Sequence, residues 1–256
     1  MNLKSNVMVW LKRISTLVTW LGIAAVMILS WSFASNYREN QIIFGHEILI
    51  QHPDNQLLLV EEDLNKILNS WGAPWDSTEA KEINIQLLEY QLENQPHVQS
   101  AKVFSTWDGT IHMQLNQKQA KARVQNEGSA FYVDAEGRPF PLSQHASLSL
   151  PIISGATDST LWQASLALFD QAKTHEAFPN GWSHLHVDEQ GMMTVVPTWH
   201  PHQIFWGDPT NFQDKAHKVH ALYAHLLQQG AMDSLQHVDV RYAGQVVYTF
   251  NTHPAS

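Results

Sequence analysis

From Ile14 to Ala34 the chain runs 21 residues without a charge and without a polar face. A helix of that length reaches about 31 Å, and the hydrocarbon core of a bilayer is about 30 Å thick. One membrane span is therefore expected, and a helix buried in a globular core is disfavoured because no side of the run is polar. Ser32-Phe33-Ala34 carries the small-x-small pattern of a cleavable signal peptide. Signal h-regions are shorter, about 7–15 residues, so an uncleaved anchor fits the length better.

Beyond residue 40 the apolar positions alternate between the strand period of two and the helix period of 3.6. Ile48 and Ile50 share one face of a strand that His52-Pro53-Asp54-Asn55 ends with turn residues. Residues 60–68 read as a short helix, with acids in the first turn and Leu64, Ile67 and Leu68 on one stripe. Trp71-Gly72-Ala73-Pro74 breaks it. Residues 85–93 form a second helix, capped by Asn84, with Leu88 and Leu92 inward and Pro96 beyond its end. Val98, Ala101 and Val103 then lead into Trp107-Asp108-Gly109-Thr110, and Ile111, Met113 and Leu115 return with strict alternation. Asp-Gly between alternating runs predicts a hairpin. The order β-α-α-β-β puts two helices on one face of a small sheet.

From about Gln117 strands dominate. Residues 122–125, 130–133, 151–155, 182–187, 192–196 and 203–206 read as strands, and Phe140 and Leu142 follow an Asp134-Ala135-Glu136-Gly137 turn. A helix is predicted over 161–173, with Leu161, Ala164, Leu168 and Ala172 on one stripe. A longer helix is predicted from Asp208-Pro209, Asp capping and Pro at the first helical position, with Phe212, Ala216, Val219, Tyr223 and Leu226 inward and Gly230 ending it. Two last strands, 236–242 and 245–250, finish the fold. The expected class is α+β: a tail (1–13), a membrane helix (14–35), a β-α-α-β-β module (36–117) and a mostly antiparallel β module with flanking helices (118–256).

Charge orients this arrangement. Lys4, Lys12 and Arg13 precede the apolar run, and the first 35 residues hold no acid. Cationic flanks stay in the cytoplasm, which places the tail inside and residues from about 36 onward outside. Trp10 and Trp31 lie near the two ends, where indoles favour the membrane interface. Removing the three cations of the first 35 residues from the net −9 leaves −12 on the remainder. Such a surface does not seek nucleic acid or anionic lipid. With no cysteine, neither disulfides nor thiol chemistry enter.

Chemical motifs are sparse. His184-x-His186 and His200-x-His202 each put two imidazoles on one side of an extended segment, and zinc favours such ligands. No matching carboxylates and no His-Glu-x-x-His accompany them, so polar positions on the solvent side of strands are the simpler reading. A metal-dependent hydrolase built on these pairs is the weakest alternative. Asp134–Gly137 lacks the spacing and closing Glu of a calcium loop, and Glu89 and Glu93 read as a solvated helix face. No nucleophile elbow, Walker sequence or dinucleotide fingerprint is present. No catalytic, cofactor or metal site is expected, and the chain is read as a non-enzyme.

What the chain offers instead is an edge. Residues 242–250, Tyr-Ala-Gly-Gln-Val-Val-Tyr-Thr-Phe, end in a β-branched and aromatic strand with no partner sequence after it. Edge strands carry unpaired N–H and C=O groups, to which a guest strand can add. Val246, Tyr248 and Phe250 would share one face, and Gln245, Val247 and Thr249 the other. If the Val247 N–H faces the guest, Val247→Pro weakens binding. An ordinary final strand paired on both sides is the competing reading.

Taken in order, these segments resemble the bacterial cell-division family FtsQ, called DivIB in other lineages. Leu88-Glu89, Leu92, Pro96, Val98 and Ala101-Lys102-Val103 resemble the second helix and following strand of its POTRA domain. Gly109–Gln117, Phe131–Gly137 with Pro141-Leu142, and Pro151-Ile152-Ile153-Ser154-Gly155 resemble the next segments. Ile204-Phe205-Trp206-Gly207 with Lys215, then Val238-Asp239-Val240-Arg241-Tyr242 with Gln245-Val246-Val247, resemble its C-terminal half. The family's Arg-x-Pro after the POTRA domain is replaced here by Gln117-Lys118-Gln119-Ala120-Lys121-Ala122-Arg123, so hinge details do not carry over.

The resemblance implies a divisome scaffold in the bacterial inner membrane, with a periplasmic bulk, acting at the septum. It also implies recruitment of the small bitopic proteins FtsB and FtsL, with a partner strand added to the last strands, and contacts to other divisome membrane proteins. By position the partner-binding residues are Arg241, Tyr242, Gln245, Val246, Val247, Tyr248, Thr249 and Phe250. A membrane-anchored chaperone for exported proteins is the alternative, since POTRA-like modules also hold unfolded strands.

Overall fold

The computed structural model describes residues 16–32, 41–72, 78–126, 128–155 and 158–251. Residues 16–32 form helix α1, exposed at every position. The ends of the expected span, Ile14 and Ala34 among them, and the cationic tail lie outside the described residues. Among the described residues no helix is long and apolar enough to cross a membrane. The chain divides into two compact units, one of residues 1–49, 61–94 and 100–115, the other of residues 50–60, 95–99 and 116–256.

In the first unit, β1 (Ile42–Ile43) precedes β2 (Gly45–Gln51), α2 (Glu61–Ser70), β3 (Thr78–Glu79), α3 (Ile85–Glu93), β4 (Val98–Ser105) and β5 (Thr110–Gln117). The main sheet has the order β2-β5-β4, and β1 pairs with β3. Glu61, Glu62 and Asp63 sit in the first turn of α2, where the helix dipole favours anions. The Asn84 side chain accepts the Leu87 N–H and caps α3. Leu64, Leu68, Leu88 and Leu92 are buried, as are Ile111, Met113 and Leu115 along β5. The β-α-α-β-β order read from periodicity is present, with the short β1–β3 pair added to it.

Among the described residues the second unit has nine strands. They are β6 (Ala122–Asn126), β7 (Ser129–Val133), β8 (Pro139–Pro141), β9 (Ile152–Gly155), β10 (Trp182–Val187), β11 (Met193–Pro197), β12 (Gln203–Gly207), β13 (Leu235–Asp239) and β14 (Val247–Phe250). Their order is β14-β13-β12-β11-β10-β9-β6-β7-β8. The sheet is mostly antiparallel, with parallel pairs at β9–β10, β6–β9 and β12–β13. Helices α4 (Ser159–Thr174) and α5 (Phe212–Gln229) pack on one face. Leu168, Phe169 and Ala172 of α4 and Phe212, Ala216, Val219 and Leu226 of α5 meet Leu185, Val195, Ile204, Trp206 and Val238 of the sheet in one cluster. Trp182 and Trp206 meet edge to face at 4.8 Å in this core.

Three details depart from expectation. Helix α5 begins at Phe212, after Asn211 in the left-handed region (φ 56°), without a side-chain cap. Asp208 is occupied elsewhere: it accepts from the Thr210 N–H, and the Lys215 ammonium bonds its carbonyl at 2.8 Å. The last two strands are shorter than 236–242 and 245–250, because the Arg241 side chain turns back onto Asp239 and a turn with Gly244 at φ 72° follows. His202, expected on a solvent face, is buried.

Residues 50–60 join the second unit through polar side chains. The Gln117 side-chain oxygen accepts the N–H groups of Leu58 and Leu59, both at 2.9 Å, and its amide donates to the Gln56 carbonyl. The Gln56 amide in turn pairs with both backbone groups of Ala120. A buried glutamine meeting backbone donors and acceptors in this way avoids the cost of unsatisfied polar groups.

Candidate functional site

Strand β14 is the open end of the nine-stranded sheet. It pairs with β13 alone among the described residues, in the register Asp239↔Val247, Val238↔Tyr248 and His237↔Thr249. All four of its residues are exposed: Val247 by 48%, Tyr248 by 38% and Phe250 by 39%. A four-residue strand of β-branched and aromatic residues with both faces open is an uncommon edge, since such edges invite pairing.

Two hydrogen bonds fix which backbone groups face outward. The Asn251 N–H donates to the Ser234 carbonyl, and the Val240 N–H donates to the Phe205 carbonyl. Backbone groups alternate sides along a strand. Val247 and Thr249 therefore turn toward β13, while Tyr248 and Phe250, and Val246 before them, turn toward the free side. The Val247 N–H thus serves the sheet rather than a guest, which moves the informative proline from 247 to 248.

The side chains around this edge form two distinct faces. Tyr248 lies opposite the fully buried Val238, and its ring meets Phe250 at 5.3 Å. Val246 packs, partly buried, against the main core. Val247 and Thr249 lie on the other face with Asp239 and His237. There the Arg241 guanidinium binds Asp239 through two nitrogens, at 2.9 and 2.6 Å, and sits 5.5 Å over the Phe205 ring and 5.9 Å over Tyr242. The bond to Arg241 holds the Asp239 carboxyl below the usual carboxylate range. Phe205 stacks on His237 at 5.6 Å.

The residues expected at the interface therefore occupy different places. Tyr248, Thr249, Phe250 and Val247 form β14. Val246 and Gln245 lead into it, Tyr242 belongs to the turn before it, and Arg241 is tied to β13. Phe205, His237 and Asp239 were not singled out from sequence, yet they make the floor beside the edge. Alternation in β12 and β13 marks them as outward positions, but only strand order puts them next to β14.

The histidine pairs are differently employed. Ser154 Oγ lies 2.7 Å from His184 Nε2 and 3.0 Å from His186 Nδ1, at an open hollow that Gln125, Asn126, Asp188 and Glu189 help line. His200 Nδ1 lies 3.0 Å from His202 Nδ1, and His202 Nε2 lies 2.6 Å from the Tyr223 hydroxyl. Burial, and then the neighbouring His200, push the His202 imidazole down to about 4. Burial likewise raises the Tyr223 phenol. Both pairs are satisfied within the fold. Among the described residues no three His, Cys, Asp or Glu side chains come together as a metal site.

Comparison with known proteins adds two matches. A family model described as FtsQ/DivIB, C-terminal related, matches residues 120–249, and a POTRA-like domain model matches residues 45–116. Among curated proteins the chain has no match.

Proposed function

The chain belongs to the FtsQ/DivIB C-terminal-related family, whose model spans more than half of its 256 residues, and from that premise we propose a specific role for it within a division-associated scaffold. The protein is held in the bacterial inner membrane by residues 14–34, tail inside, with both units outside. It takes up an extended segment of a small bitopic division protein of the FtsB or FtsL kind along β14. It brings that partner to the septum and performs no chemistry of its own.

The observation that carries this reading is the state of β14: paired on one side, exposed on all four residues, and free of proline and of charge. A guest strand beside it gains backbone hydrogen bonds from Tyr248 and Phe250, and its alternate side chains meet the Tyr248–Phe250 rings on one face and Val247 and Thr249 on the other. Backbone pairing supplies affinity with little sequence demand. The two side-chain faces and the fixed Arg241–Asp239 pair select among partners.

Photo-crosslinking in cells from position 248 tests the reading. Capture of a small single-pass coiled-coil division protein supports it. Capture of many unrelated exported proteins assigns the edge to a general chaperone. Absence of capture at 246, 248 and 250, with normal membrane insertion, places the interface elsewhere.

A further inference from the structure

The first unit carries a second exposed apolar feature, at the tip of the β4–β5 hairpin. Phe44 is 69% exposed, Trp107 67% and Ile42 44%. They belong to one tip. The Phe44 N–H donates to the Gly109 carbonyl at 2.9 Å, and the Gln41 side-chain amide donates to the Trp107 carbonyl at 2.5 Å. Gly109 adopts φ 83°, and a Cβ there would stand 2.6 Å from the Ile42 carbonyl oxygen and 2.9 Å from the Phe44 ring. Only glycine lets the 41–44 segment and the hairpin turn close on each other this tightly.

The charged groups at this tip are exposed but each is engaged by a neighbour. The Asp108 carboxylate accepts from the Thr106 hydroxyl at 2.5 Å and the Thr110 N–H at 3.2 Å. Glu79, opposite Ile42 in the β1–β3 pair, forms an ion pair with Lys81. Beside these engaged charges the tip exposes a knob of one indole, one phenyl and one branched alkyl group, without a cationic cluster.

We propose that this knob seats in the headgroup zone of the bilayer in which the protein is anchored. The inference rests on the anchor reading given above and goes beyond it by assigning a second membrane contact. Three observations favour lipid over a protein groove. The patch is built partly from residues 41–44, which begin nine residues after the described end of α1 at residue 32. A fully extended chain gives at most about 3.6 Å per residue, so Ile42 stays within about 36 Å of that end. Trp and Phe are the side chains that partition to the membrane interface. The cation beside it, Lys81, is already paired with Glu79, which suits uncharged apolar insertion rather than attraction to anionic lipid. The contact would fix the orientation of the first unit over the membrane.

The chain has no cysteine, so single cysteines can be placed freely in the full-length protein. Each is labelled with an environment-sensitive fluorophore and reconstituted into phosphatidylcholine vesicles containing nitroxide-labelled lipid. Leu21→Cys reports the anchor, Trp107→Cys the tip, and Gln86→Cys, exposed on α3, the rest of the same unit. Quenching at 21 and 107 but not at 86 supports the inference, and it should be lost at 107 when Ile42→Ser and Phe44→Ser are added. Quenching at 21 without quenching at 107, or equal quenching at 107 and 86, overturns it while leaving the anchor intact. Loss of quenching at 21 removes the anchor reading and this inference together. Protection of position 107 by a protein in cells, with no lipid quenching in vesicles, gives the patch to a protein partner and overturns the lipid assignment.

Discussion

The two ends of the nine-stranded sheet are finished in opposite ways. At one end β8 reads Pro-Phe-Pro, three residues long. The Asp134 N–H bonds to the Arg138 carbonyl, so alternation turns Arg138 and Phe140 toward β7 and leaves Pro139 and Pro141 on the outer side. Both outward positions therefore lack an N–H. The His97 imidazole lies 3.0 Å from the Pro141 carbonyl, and Phe140 is buried against Leu58, Ala120 and Tyr132. At the other end β14 turns Tyr248 and Phe250 outward with their N–H groups intact and, among the described residues, nothing buried over them. Sheets usually blunt their edges with proline, charge or a covering segment. This sheet uses proline and a cover at one edge and, among the described residues, neither at the other, and the proposed docking strand rests on that asymmetry.

The largest expected effect comes from removing the cover. Gln117→Ala strands two backbone N–H groups and a carbonyl that join residues 50–60 to the second unit. At about 1–3 kcal/mol for each buried unsatisfied group, a loss of about 4 kcal/mol is expected in urea unfolding. Amide exchange in β8 should rise with it, while exchange in β14 should change no more than global stability requires. Equal, small changes at both edges would show that the cover does not distinguish them.

Next in size is the transfer of the closed edge's device to the open one. Tyr248→Pro removes an outward donor and places a ring where a guest strand would lie. Partner-strand binding should fall by about 100-fold, close to the 3 kcal/mol that proline costs in a hydrogen-bonded position, with the Val247 and Thr249 amides still protected from exchange. Val247→Pro acts on the sheet's own ladder instead, and it should weaken binding only together with the docking of β14 on β13. If the two substitutions are indistinguishable in exchange and affinity, the outward assignment of Tyr248 is wrong.

The smallest effect is the reverse experiment. Pro139→Val with Pro141→Val restores two outward N–H groups on β8. Weak self-association by sedimentation is expected, under about tenfold above the parent chain, because Leu58 and His97 still cover the strand and each regained bond is worth only about 1 kcal/mol. Tight dimerisation would mean that proline alone keeps this edge closed.

Much of this was legible in the chain. The Asp108-Gly109 turn, the Asn84 cap and the inward residues of α2, α3 and α5 are local consequences of turn chemistry and of a 3.6-residue period, and the helices and strands stand close to where the pattern placed them. The reading was weaker where a side chain took a partner distant in sequence. Asp208 looked like a helix cap but serves Lys215 and Thr210. His202 looked like a solvent position, but it lies under Tyr223, 21 residues away.

The sequence by itself determined the elements, the apolar run near the N-terminus and the identity of the last strand, because each depends on neighbours within a few residues. It could not say that β14 lies at an edge while β9 is central, which backbone groups of β14 face outward, or that Ile42, Phe44 and Trp107 form one knob. Those are outcomes of strand order and register, set by which apolar faces bury one another across separations of tens of residues, and only the tertiary structure decided them.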